Sequence, residues 1–132
     1  MKKEGYIIYW VEEAARDWDR AIRSFKDNDF IYCLFFLHLA LEKICKALWV
    51  KFNESNHPPR IHNLVTLIKQ AMIELEEDMI IFLGKMNRFQ LETRYPGYID
   101  SIYKFCTKEY TKEMLEKGEK VKLCLIKELQ KK

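Results

Sequence analysis

The feature that most constrains the fold is an apolar run from Phe30 to Leu41, which contains a single histidine, His38. The run holds twelve residues and is followed at once by charged ones, whereas a membrane-spanning helix needs about 20 apolar residues. A helix that is apolar around most of its circumference must be covered by neighbouring helices, and in some proteins also by a second chain. We therefore expect a buried central helix that begins after an N-cap at Asp29 and ends near Phe52.

The segments around this central helix show helical periodicity, because their apolar residues recur every three or four positions. The chain has 132 residues with only four Gly and three Pro, which is too few turn residues for a many-stranded β fold. The length suits one domain. We predict a single all-α domain over residues 1–132, an up-and-down bundle of four to five helices. The expected helices besides the central one are Tyr6–Lys26, Leu64–Leu75, Met79–Phe89 and a last helix carrying Tyr103 to Leu125.

Charge and cysteine content exclude several classes of protein. The formal net charge is +3, too small for a strongly basic nucleic-acid coat protein. The four cysteines are widely spaced without a CxxC pair, which indicates reduced core thiols and a cytoplasmic location. The apolar stretch near the N-terminus meets Glu12 and Glu13 too early for a signal peptide. We expect neither secretion nor a membrane span.

Motifs of the common enzyme classes are absent from the sequence, which contains no HExxH, GxSxG, P-loop or GxGxxG. Glu54 and His57 have the Glu-x-x-His spacing of di-iron bundles, but those proteins need two such motifs. His57 and His62 lack a third nearby ligand, and His62 is positioned to cap the third helix. We predict no metal site and no cofactor.

A polar stripe on the central helix is the first candidate site. His38, Glu42 and Lys46 are four residues apart and Lys43 lies beside them, so all four share one side of the helix. The stripe is either a solvated edge with Glu-to-Lys pairs or the wall of a ligand groove. Since an unpaired buried charge costs several kcal/mol, we expect these groups to be accessible or paired.

The second candidate site is a cluster of two arginines and a tyrosine, Arg88, Arg94 and Tyr95, at the expected end of the fourth helix. We expect helical order to be lost at Pro96. Arginine presents a fixed fork of donors that matches phosphate oxygens, and tyrosine can stack on a base. The cluster therefore suits a nucleotide, although cations at a helix end also complement the helix dipole.

The whole pattern resembles the HEPN family, the "higher eukaryotes and prokaryotes nucleotide-binding" domain. The resemblance rests on four pieces in order along the chain. They are Ala14-Ala15-Arg16-Asp17-Trp18, the central-helix segment His38 to Leu48 with Ala40, Glu42, Lys43 and Lys46, the segment His62 to Leu67, and Arg94-Tyr95-Pro96. The resemblance implies a bundle like the C-terminal domain of kanamycin nucleotidyltransferase, a homodimer, and a cleft bordered by the central-helix stripe.

The resemblance also implies a function beside a small nucleotidyltransferase, often in a toxin–antitoxin pair. Many HEPN members are metal-independent RNases with an Arg-x4-6-His motif, but no histidine of this chain has an arginine at that spacing. The resemblance thus favours a non-catalytic nucleotide-binding and partner module, with Tyr95 as the candidate acceptor of AMP from the partner. The alternatives are an RNase with a divergent site and a purely structural dimer. The residues expected at the nucleotide, of ATP or GTP class, or at RNA are His38, Glu42, Lys43, Lys46, Arg88, Arg94 and Tyr95.

Overall fold

The fold is described by a computed structural model over residues 1–90 and 96–131. Within these residues there are six α-helices and one 3₁₀ turn, and no strand. Arg94 and Tyr95 lie outside the described residues. The elements are α1 (Lys3–Lys26), α2 (Phe30–Phe52), α3 (Leu64–Gln70), α4 (Glu77–Met86), the 3₁₀ turn (Asn87–Phe89), α5 (Pro96–Tyr103) and α6 (Lys108–Gln130).

The predicted central helix is confirmed, because α2 packs along the length of α1 and also against α3 and α6. Seven of the twelve residues of its apolar run are buried, among them Leu34, Leu37 and Leu41 with no exposed surface, whereas Tyr32 is 45% exposed. The Asp29 carboxylate accepts a hydrogen bond from the Tyr32 backbone N–H at 3.4 Å, as expected of an N-cap. The hydrophobic core therefore surrounds α2 on several sides.

Two lysines fasten other helix ends to the last turns of α2. The Lys3 ammonium donates to the carbonyl oxygens of Val50 at 2.6 Å and Asn53 at 2.8 Å. Lys51 donates to the carbonyls of Glu128 and Leu129, both at 2.9 Å, and to that of Lys131. Cations at helix C-termini satisfy unpaired carbonyls and complement the helix dipole, so these contacts stabilise α2 and α6.

The helices after α2 depart from the sequence-based boundaries. The third helix ends at Gln70 rather than near Leu75, and Met72 in the following turn has a φ of 58°. The expected last helix is divided, because Tyr103 ends α5 and α6 begins only after an N-cap at Thr107. The described residues therefore contain six α-helices, where four or five were expected for the chain.

Pro96 starts a helix instead of ending one, so the expected loss of helical order at this residue was wrong. The fixed φ of proline suits the first position of a helix, where the backbone N–H has no partner in any case. The fourth helix itself ends before the expected Phe89, since α4 stops at Met86 and a 3₁₀ turn follows it. Arg88 accordingly lies in the 3₁₀ turn rather than at the end of a continuous helix.

The four cysteines are free, as expected, and Cys33, Cys45 and Cys106 are buried. Burial raises the pKa of the Cys33 thiol to about 12 and that of Cys106 to about 11, so both stay protonated near neutral pH. No helix in the described part of the chain is long and apolar enough to cross a membrane.

Candidate functional site

The polar stripe of α2 is centred on Glu42, whose residue surface is 4% exposed. One carboxylate oxygen, Oε1, accepts a hydrogen bond from His62 Nδ1 at 3.0 Å. The other, Oε2, accepts from the Lys46 ammonium at 3.1 Å, and the Lys46 side chain is 9% exposed. Glu42 is therefore a buried carboxylate with a partner on each oxygen.

His38 lies one turn before Glu42 and is completely buried. Its Nε2 is 3.0 Å from the carbonyl oxygen of His62, and only a protonated nitrogen can donate to a carbonyl. Its Nδ1 lies 3.8 Å from Glu42 Oε1. Burial lowers the pKa of His38 even though the charge of Glu42 opposes that shift, so the imidazole is neutral at pH 7.

The two lysines of the stripe point toward α1 but reach different partners. The Lys46 ammonium lies 5.4 Å from the centre of the Trp10 ring, a cation–π contact. The Lys43 ammonium lies 2.5 Å from Asp17 and 3.9 Å from Glu13. Lys43 therefore belongs to an ion pair between α1 and α2. The interpretation of the stripe as a solvated edge was wrong, because α1 and the His62 loop cover it.

His62 does not cap α3, contrary to the sequence-based expectation. Asn63 does so, because its side-chain oxygen accepts from the Thr66 N–H at 3.1 Å. Asn87 in the 3₁₀ turn accepts from the Leu64 N–H at 3.0 Å and donates to Asn63 at 3.1 Å. This frees the His62 ring for Glu42 and ties the loop before α3 to the end of α4.

Arg88 follows Asn87 directly but lies in a different environment. Its guanidinium carbon is 5.2 Å from the centre of the Phe105 ring, and its positive charge lies close enough to the Tyr110 hydroxyl to act on it. Burial raises the pKa of Tyr110, and the positive charge of Arg88 partly opposes this rise. We call Arg88, Phe105 and Tyr110 the arginine corner.

The arginine corner is one end of an open groove between α4 and α6, which we call the α4–α6 groove. Its volume is about 680 Å³. The Glu113 carboxylate and the Lys117 ammonium form an exposed ion pair at 2.9 Å on its rim. The lining residues are Asp78, Met79, Ile81, Phe82, Lys85, Arg88, Tyr110, Glu113, Met114, Lys117, Lys120 and Val121.

The residues predicted for one site thus fall into two places. His38, Glu42 and Lys46 form the buried stripe, Lys43 pairs with α1, and Arg88 lines the groove. Arg94 and Tyr95 lie outside the described residues. The sequence analysis did not assign His62, Phe105 and Tyr110 to a site. The spacing of three to four residues from Tyr110 through Glu113 to Lys117 is the signal that indicates one face of α6.

Among residues 1–90 and 96–131, no three His, Cys, Asp or Glu side chains are gathered so as to hold a metal ion. The Glu54 and His57 pair does not reach a core position, since both residues are exposed in the loop after α2.

Known proteins share both the sequence pattern and the fold. The family model described as "HEPN domain" matches residues 7–129. The crystal structure of TT1696 from Thermus thermophilus is similar in fold, with a TM-score of 0.77 and 19% sequence identity. The similarity covers 92% of this chain and 97% of that one. No curated protein matches the sequence.

Proposed function

This chain belongs to the HEPN domain family, and we propose that it is a non-catalytic nucleotide-binding and partner module that acts with a small nucleotidyltransferase. The observation that carries the proposal is the arginine corner. Arg88 is exposed, lines the groove, and packs over the Phe105 ring close to Tyr110. A guanidinium held in one orientation is suited to paired hydrogen bonds with phosphate oxygens.

The surroundings of Arg88 supply the other contacts that a nucleotide needs. Lys85 lies one helical turn before it on the same groove and adds a second positive charge for a polyphosphate. Met79 and Phe82 offer an apolar surface on which a base can lie. Arg94 and Tyr95, which follow closely in sequence, are proposed as further contacts.

The chemistry of the groove favours binding over catalysis. The described residues that line it include no histidine, and its carboxylates, Asp78 and Glu113, are exposed. The groups best suited to proton transfer, His38 and Glu42, are buried in the stripe and not in the groove. A phosphate bound at Arg88 would therefore lie in the groove, whereas His38 and Glu42 do not line it.

The proposal includes a partner. HEPN domains commonly dimerise, and we propose a homodimer that pairs with a nucleotidyltransferase as one half of a toxin–antitoxin system. In this arrangement Tyr95 is the proposed acceptor of AMP. Incubation with the partner and ATP should raise the intact mass by one adenylyl group, and Tyr95→Phe should abolish that increase. An unchanged mass of the unsubstituted chain would exclude the modification.

The nucleotide proposal is tested by thermal unfolding with ATP, GTP and AMP at low and moderate salt. A ligand that binds only the folded state at 100 times its Kd adds about 2.7 kcal/mol to the free energy of unfolding. We expect a rise in Tm that weakens with salt and is lost in Arg88→Ala. Arg60→Ala removes an exposed arginine outside the groove and is the matched control. A rise that Arg88→Ala leaves intact would contradict the proposal.

A further inference from the structure

We propose that the α4–α6 groove is a docking site for an amphipathic helix with acidic flanks, supplied by a protein partner. This goes beyond nucleotide binding, because it uses Ile81, Lys117 and Lys120, which line the groove and have no role in the nucleotide proposal. Shape, apolar floor and charge each support the same kind of occupant.

The shape of the groove suits a helix. Its walls are residues 78–88 and residues 110–121, which are separate segments facing each other across the opening. At 1.5 Å per residue each wall is about 16 Å long, which corresponds to about three turns of a helix. Side chains of a third helix can pack between those of two others, as they do within helical bundles.

The floor of the groove is apolar and adaptable. Phe82 and Met114 are almost fully buried, and they form the base together with Met79 and Val121. Ile81 on the rim is 51% exposed, which is high for a large aliphatic residue in a helix. Methionine side chains adjust to different apolar surfaces, so this floor suits a stripe of apolar residues at helical spacing.

The charges along the rim select the flanks of the incoming helix. Lys85, Arg88, Lys117 and Lys120 supply four positive charges, against two negative ones from Asp78 and Glu113, for a net of +2 in the groove. The whole chain has a net charge of only +3, so the groove holds a large part of the excess. Complementary charge favours an acidic partner and speeds its association.

The distribution of these groups along the groove distinguishes a helix from a small ligand. Lys117 and Lys120 line the groove on α6, about two to three turns beyond Tyr110 of the arginine corner. A nucleotide whose phosphates are held at Arg88 leaves most of the α6 wall uncovered. A three-turn helix contacts the corner, the floor and both α6 lysines together.

The test uses two fluorescent synthetic peptides of about 15 residues that share one apolar stripe at positions i, i+3, i+4 and i+7. One carries glutamates on its flanks and the other carries lysines. Fluorescence anisotropy with the full chain, without nucleotide, should show at least tenfold tighter binding of the acidic peptide. Salt should weaken this binding.

Three variants locate the binding on the groove. Ile81→Asp and the double variant Lys117→Glu/Lys120→Glu should each weaken acidic-peptide binding at least tenfold. Lys112→Glu changes an exposed lysine of α6 that does not line the groove and should leave the affinity unchanged. Because Ile81, Lys117 and Lys120 are exposed, these variants should fold, which far-ultraviolet circular dichroism can verify.

Several outcomes would overturn the inference. These are equal binding of the two peptides, binding of neither, and acidic binding that the double variant leaves intact. Binding of a short single-stranded RNA, but not of the peptide, that is lost in the double variant would assign the groove to RNA instead. Failure of the nucleotide proposal is distinguishable from failure of this one. It would appear as no rise in Tm with ATP, or a rise that Arg88→Ala leaves intact, and both are measured without peptide.

Discussion

The buried stripe of α2 and the α4–α6 groove are built from similar charged side chains, yet their environments are opposite. In the stripe, Glu42 has a partner on each carboxylate oxygen and is 4% exposed. In the groove, Glu113 and Lys117 form an ion pair whose side chains are 60% and 54% exposed. The same type of Glu–Lys ion pair is therefore buried in one place and surrounded by water in the other.

The difference follows from solvation. Taking a charge out of water is costly, so a buried pair must stay complete, and removal of one member leaves the other without compensation. An exposed pair exchanges its partners with water at little cost. The stripe is thus suited to fixing α1, α2 and the His62 loop together, whereas the groove cations are accessible to a ligand.

Removal of the Glu42 carboxylate should have the largest effect. Glu42→Ala leaves the buried Lys46 ammonium and the His62 ring without their acceptor, and we expect a loss of about 3–5 kcal/mol in the free energy of unfolding. Urea denaturation measures this loss. Glu116→Ala removes an exposed carboxylate from α6 and should change little. Equal stability of the two variants would mean that the buried Glu42 carboxylate contributes no more to the free energy of unfolding than an exposed one.

Acidification should destabilise the protein through His38. Burial lowers its pKa below the ordinary 6.5, so the unfolded chain binds the proton first. Its contribution to stability is complete above pH 6.5 and is lost as the pH falls toward the depressed folded pKa, by up to about 1.4 kcal/mol per pH unit.

Urea unfolding of His38→Gln between pH 7 and 5 tests this sign. Glutamine keeps an N–H for the His62 carbonyl but does not titrate, so the variant should lose less stability on acidification. The charged and titratable neighbours Glu42 and His62 remain in both proteins. His57→Gln, a change of an exposed histidine, is the control. A steeper loss in His38→Gln than in the parent chain would contradict the assignment.

Gly84 in α4 and Gly118 in α6 differ in the space that surrounds them. A Cβ at Gly84 would meet only Val65, at 3.9 Å, so Gly84→Ala should stabilise by up to about 1 kcal/mol through helix propensity. A Cβ at Gly118 would lie 2.9 Å from a methyl group of the buried Leu37. Gly118→Ala should therefore bring no comparable gain. Thermal unfolding of both variants distinguishes the two sites. An equal rise in Tm in both would show that a Cβ at position 118 fits against Leu37 of α2 without cost.

The smallest expected effect on stability is at the rim of the groove. Lys117→Ala breaks only the exposed pair with Glu113 and should leave the Tm unchanged within error. It should nevertheless weaken binding of the acidic peptide. If Lys117→Ala lowered the Tm about as much as Glu42→Ala, the exposed pair would matter as much for stability as the buried one, which would contradict this prediction.

Much of the fold is predictable because it depends on local sequence. The apolar run of α2 and the cap at Asp29 are visible in neighbouring residues, and the structure contains both. The break between α5 and α6 is not, because Tyr103, Cys106 and Tyr110 continue a helical spacing across it. There the N-cap of Thr107 begins a new helix despite the unbroken periodicity.

The candidate site is less predictable because its contacts join distant segments. Glu42 and His62 are 20 residues apart, and no periodicity specifies that the loop before α3 folds back onto α2. Likewise Arg88 meets Tyr110 only because the 3₁₀ turn after α4 lies next to the first turn of α6, which depends on tertiary packing. Sequence reasoning selected Glu42 and Arg88 by residue type, but only the packing separates them into two environments.

The lysine contacts at the end of α2 also join segments that are far apart in the sequence. Lys3 reaches the carbonyl of Val50, and Lys51, the next residue, reaches that of Lys131, so the start of α1 and the end of α6 meet the same turn of α2. Helix ends normally fray before the rest of a domain opens. Here the three helix ends share their contacts, so fraying of one end removes a partner from another.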